Sequence, residues 1–269
     1  MKKSCDGNVS GPAVCSVRIF IYLTHFYIPQ MYQRLLKYLD KINDWRKQNI
    51  SKNNFLILAA GVVGVMGGIA SSILKQLTHF IANFLQNELH WEYKYYLYLF
   101  FPLIGILLTI IYIRIFIRKH KFQHGIPAIL HNISRNSGKI DFHNIYSQIV
   151  SSALTVGLGG SAGLEAPAVA SGSAIGSNIG RFFGLNYRET TLLLACGAAA
   201  GISGAFNSPV AGMIFAIEII LPQFSIPAVI PLLISSAFAS VISNIIYNEP
   251  LFVLVAKDWV RDAFWYYLA

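Results

Sequence analysis

The sequence predicts an all-α, multi-pass membrane protein built partly from broken helices, and three observations carry that expectation. Hydrophobic residues make up 55% of the 269-residue chain and charged residues only 12%, with a mean hydropathy of +0.52, too apolar for an ordinary soluble domain. Two early apolar runs are long enough to cross roughly 30 Å of hydrocarbon, whereas the later runs are short and interrupted by glycine and proline. The net charge of +9 falls in short blocks beside the apolar runs, not along an aromatic-interleaved polar face. That pattern belongs to membrane topology, and no nucleic-acid partner is expected.

In chain order, Lys2 and Lys3 precede a short apolar run at 17–28, but Asp6, Gly7 and Asn8 break the signal-peptide pattern, so residues 1–30 read as an undefined leader. Residues 31–54 place Leu35, Leu36, Leu39, Ile42 and Trp45 among Arg34, Lys37, Lys41, Arg46 and Lys47, the spacing of an amphipathic helix at a membrane surface. A first span runs from Phe55 toward residue 86 and a second covers 95–117. The loop between them, NELHWEYK, carries two acids and one lysine, and RKHK follows the second span. The positive-inside rule then puts 31–54 and 118–121 in the cytoplasm and the loop near 90 outside.

Beyond Lys121 the apolar segments are 126–134, 145–158, 165–182, 189–202, 207–221 and 226–247. Several are too short to span a bilayer, and backbone that stops at membrane depth must be covered by protein or line a polar cavity. Gly172, Gly176 and Gly180 recur at every fourth position, as do Gly64 and Gly68, a spacing for close helix packing. Cys5, Cys15 and Cys196 form no CxxC or Cys/His pattern, so neither a disulfide framework nor a metal site is expected.

Two short helices have chemically informative starts. In FQHGIPAIL, Gly125 precedes Ile126 and Pro127; in GSAGLEAPAV, Gly163 precedes Glu165 and Pro167. Proline suits a first helical turn, because its missing N–H would have no partner there, and glycine permits a sharp turn. Each start leaves unpaired N–H donors at the positive end of a helix dipole, which together form an anion site. Two such ends meeting inside a membrane would hold a dehydrated halide without a fixed full charge. Glu165, the lone acid of the 157–180 stretch, either complements its own helix dipole or competes with a permeating anion for those amides. The cost of an intramembrane acid favours the second role, a gate.

These blocks resemble the CLC chloride channels and proton-coupled chloride exchangers. GLEAP (163–167) is similar to the family's GREGP or GKEGP signature, HGIP (124–127) to GSGIP, and GAAAGISGAFNSPVAGMIFAIE (197–218) to the helix pair that follows, in matching order. The resemblance covers about 55–247 and implies a CLC-type broken-helix bundle, the first of two inverted repeats, in a homodimeric cell-membrane protein that moves chloride or a similar monovalent anion. It implies Glu165 as the gate and His124, Gly125, Ile126, Gly163, Leu164 and Ala166 as anion contacts, with no cofactor.

Three departures qualify it. His124 stands where the family has a serine, and an imidazole can either donate to the anion or cap the helix. Glu218 aligns with the first acid of the exchangers' EE pair, but Ile219 fills the second position and cannot relay a proton, which leans toward an uncoupled, voltage-gated channel class. Residues 248–269 read as the opening of a second repeat, so a proton-coupled antiporter and a nonconducting truncated fragment are the alternatives. An enzyme is not expected. GGSAG (159–163) formally matches the serine-hydrolase elbow, but that turn should follow a strand, and His124, His131 and His143 lie on separate segments.

Overall fold

A computed structural model describes residues 51–88, 94–117, 125–221 and 226–246. The proposed leader, most of the 31–54 segment, His124 and the 248–269 segment lie outside the described residues. Eight α-helices occur among those described: α1 (Lys52–Glu88), α2 (Lys94–Phe116), α3 (Gly125–Arg135), α4 (His143–Gly157), α5 (Glu165–Phe182), α6 (Tyr187–Phe206), α7 (Pro209–Phe215) and α8 (Ile226–Ile246). A π-helical turn, Ala216–Ile220, continues α7. Lys52, Asn53 and Asn54 form the first turn of α1. Alanine, glycine and branched aliphatics then carry α1 for 37 residues, ample to cross a bilayer. By contrast, α3 has 11 residues and α7 only seven, as the glycine and proline interruptions demand.

The hub is α6, whose residues from Thr190 to Gly204 are uncharged and, apart from half-buried Leu192, all buried. Small residues make this possible by letting neighbouring backbones touch. A Cβ on Gly172 would overlap the Gly197 carbonyl, one on Gly176 the Leu193 carbonyl, and one on Gly201 the Ala168 carbonyl. The numbers fall on one helix as they rise on the other, so α5 and α6 are antiparallel along a glycine seam.

On the other side, Ser235 Oγ donates to the Cys196 carbonyl at 2.9 Å and Ser243 Oγ to the Gly204 carbonyl at 2.7 Å, a parallel register between α8 and α6. Helix α1 joins in the same sense. Ser71 Oγ donates to the Gly201 carbonyl at 3.1 Å, and Cβ atoms on Gly64 and Gly68 would meet the Ser235 and Ala239 backbones. Helices α1, α6 and α8, each long and apolar enough to cross a membrane, therefore run in one direction, and their starts share one end of the bundle. Such interhelical hydroxyl bonds contribute about 0.6 kcal/mol each, so close packing does most of the work.

Candidate functional site

Helices α3 and α5 begin alike, with proline as the third residue of each: Gly125–Ile126–Pro127 and Glu165–Ala166–Pro167. Gly125 has φ of +72°, the left-handed region where a side chain would strain the turn, so glycine is required there for its conformation. The turn before α5 differs. Its positive-φ residue is Gly159, and Gly163 is needed for space, because a Cβ on Gly163 would overlap Glu165 Oε2. The expectation that Gly163 supplies a sharp turn is therefore corrected: its hydrogen side chain makes room for a carboxylate folded back over the start of the helix.

Leu164 caps α5 in a helical conformation without a side-chain hydrogen bond, and the first intrahelical bond runs from the Ala168 N–H to the Leu164 carbonyl at 3.1 Å. The Glu165 and Ala166 amides thus precede the regular ladder, and Pro167 contributes no donor. Ser161, Ala162, Gly163 and Glu165 are exposed, while Leu164, Ala166 and Pro167 are half-buried and everything from Ala168 to Ser177 is buried. Glu165 is exposed, and no basic side chain pairs with it among the described residues. Beyond its first turn the helix is held in a buried glycine seam against α6.

The opposite ends of α3 and α5 are tied together. Ser177 Oγ donates to the Gly138 carbonyl at 2.6 Å and accepts the Ile140 N–H at 3.0 Å, and Asn178 Nδ2 donates to the Ile140 carbonyl at 3.2 Å. From this shared anchor, α3 reaches back about 15 Å and the Glu165–Ser177 part of α5 about 18 Å at the helical rise. Ile126 is half-buried against the core that includes Val169 and Ala170 near the start of α5.

Other sequence candidates separate from this site. Glu218 and Ile219 sit in the π-helical turn, both exposed, while Ile220 is buried. Such turns recur at functional positions, a signal the sequence did not reveal. GGSAG follows helix α4 rather than a strand, so the hydrolase elbow lacks its scaffold. His131 is exposed on α3 and His143 buried on α4. No group of three His, Cys, Asp or Glu side chains that could hold a metal occurs among the described residues.

Comparison with known proteins agrees with the helix arrangement. The chain is 28% identical over 218 residues to the H(+)/Cl(-) exchange transporter ClcA of Vibrio vulnificus, covering 78% of this chain and 46% of that protein. A CLC-type fluoride/proton antiporter structure matches with a TM-score of 0.60 at 27% identity, over 73% of this chain and 48% of that one. The structure of a slow cyanobacterial Cl-/H+ antiporter shares the fold, with a TM-score of 0.62 at 22% identity over 82% of this chain and 53% of the other. The chain thus spans about half the length of the relatives it matches. The sequence profile described as "Voltage gated chloride channel" matches residues 105–269, more than half of the chain, and the multi-pass membrane protein described here belongs to that family.

Proposed function

We propose that this chain forms part of a transmembrane pathway for chloride or a similar small monovalent anion, with Glu165 as its gate. The observation that carries this is the Glu165 carboxylate folded over Gly163 at a helix start with free amides, the position an anion would occupy. In this reading the starts of α3 and α5 converge, so that Gly125, Ile126, Gly163, Leu164 and Ala166 offer the anion their backbone, with His124 beside them. The similar reach of the two helices from their common anchor supports the convergence. A carboxylate on those amides excludes the anion, and its protonation or displacement admits it. Residues 55–247 then constitute a CLC-type repeat in a homodimer, for which exposed Val210, Ile214 and Leu233 supply an apolar face.

Coupling has two readings. Ile219 has no proton to pass on, which favours an uncoupled channel; the exchange named for the ClcA relative favours a proton-coupled antiporter. Anion and proton movements measured together in liposomes separate them, since an exchanger drives protons against the anion gradient and a channel does not. The gate itself is tested by Glu165→Gln: an unchanged pH profile of anion flux would remove Glu165 from that role.

A further inference from the structure

We infer that the end of the bundle where α1, α6 and α8 begin holds one anionic phospholipid, its phosphate beside Arg188 and its acyl chain along apolar helix walls. A cavity of about 800 Å³ opens there, within the size range of small-molecule sites. Its apolar walls include Leu56 and Ile57 from α1, Leu192 from α6 and Ile230 from α8, with Tyr187 and Arg188 from the first turn of α6. Apolar walls ending in an aromatic and a guanidinium match the chemistry of a lipid at the boundary between acyl chains and headgroups.

The surroundings have the complementary charge. Arg135, Lys139, Arg181 and Arg188 are all exposed, against Asp141 and Glu189. Hydrogen bonds hold the segments that carry them at one end. Arg181 Nη1 donates to the Ile140 carbonyl at 3.4 Å, and the Tyr187 hydroxyl to the Ile133 carbonyl at 3.3 Å. Glu189 also lines the cavity, with its Oε2 accepting the Asn186 N–H at 3.1 Å at the start of α6. The Phe55 and Phe183 rings meet edge-on at 5.1 Å, and Phe182 and Tyr187 are half exposed, a set of aromatic side chains of the kind that settle at membrane interfaces. By the positive-inside rule this basic end is cytoplasmic, where the leaflet carries anionic lipid.

The test is intact mass measurement of the purified protein with phosphatidylglycerol or phosphatidylcholine of identical chains. Both headgroups carry a phosphate, but choline neutralises it in phosphatidylcholine, so phosphatidylglycerol is expected to bind roughly fivefold more tightly, the effect of one basic side chain beside a net anionic headgroup. Arg188→Gln should erase that preference while Arg135→Gln, on the same basic end but outside the cavity lining, keeps it. Ile230→Trp, which fills part of the apolar wall, should weaken binding of both lipids. Equal binding of the two lipids by the unaltered protein would overturn the inference, as would equal losses in the two arginine variants, binding undiminished by Ile230→Trp, or displacement of the lipid by millimolar inorganic phosphate, which would mark a free-phosphate site.

Discussion

The Glu165 carboxylate lies over Gly163, in the space that any other side chain at position 163 would claim. Acid and glycine are therefore a single unit: the carboxylate can rest on its own helix start only because residue 163 has no Cβ.

Gly163→Ala should dislodge the carboxylate rather than unfold the chain, since the clash is with the far end of a flexible side chain on an exposed turn. Melting temperature should stay near that of the unaltered protein, with a stability change within about 0.5 kcal/mol. Anion flux near neutral pH should rise. A large drop in melting temperature, or flux that stays the same, would contradict this.

In the proposed gate, acid pH opens the pathway, because a protonated Glu165 no longer competes as an anion for the helix amides. Flux through the unaltered protein should increase as pH falls, while Glu165→Gln, neutral at every pH, should be active at high pH and flat across the range. Liposome flux measured over several pH values checks both the sign and the flattening.

The seam between α5 and α6 predicts a different kind of loss. Gly172→Ala and Gly197→Ala each force a methyl group into backbone of the facing helix, which cannot swing aside as a side chain can. Each should cost at least 1–3 kcal/mol, the usual effect of overpacking. Gly184→Ala is the comparison: nothing lies within 4 Å of its added Cβ, but φ is +59°, so backbone strain of roughly 1–2 kcal/mol is its whole cost. Thermal unfolding in detergent should rank the seam variants below Gly184→Ala.

Ser235→Ala and Ser243→Ala remove hydroxyls that bond to α6 carbonyls, yet each should cost only about 0.6 kcal/mol. Gly68→Val should cost several-fold more, because the Ala239 backbone occupies the space its side chain needs. Unfolding curves showing the serine variants as the more damaging would reverse the assignment of close packing as the main stabilising contribution.

Much of the helix arrangement could be read from composition and punctuation. Long runs poor in charge gave α1 and α2, and glycine followed by proline marked the start of α3, because proline restricts backbone locally whatever surrounds it. The start of α5 at Glu165 and its end at Phe182 fall where the sequence put them. Less legible were the ends of α6, which extends to Tyr187 and Phe206, and the π-helical turn at 216–220, since neither follows from local preference alone.

By itself, then, the sequence determined the solvent, the helices and the residue types at the two helix starts, all set by hydropathy and by short-range backbone chemistry. Only the tertiary structure decided that α1, α6 and α8 run parallel, that Gly163 serves space rather than conformation, and that Glu165 is exposed at the start of a helix whose following turns are buried. Those facts depend on which backbone lies against which, a relation among residues far apart in the chain, 130 positions in the Ser71–Gly201 bond, that no local pattern encodes.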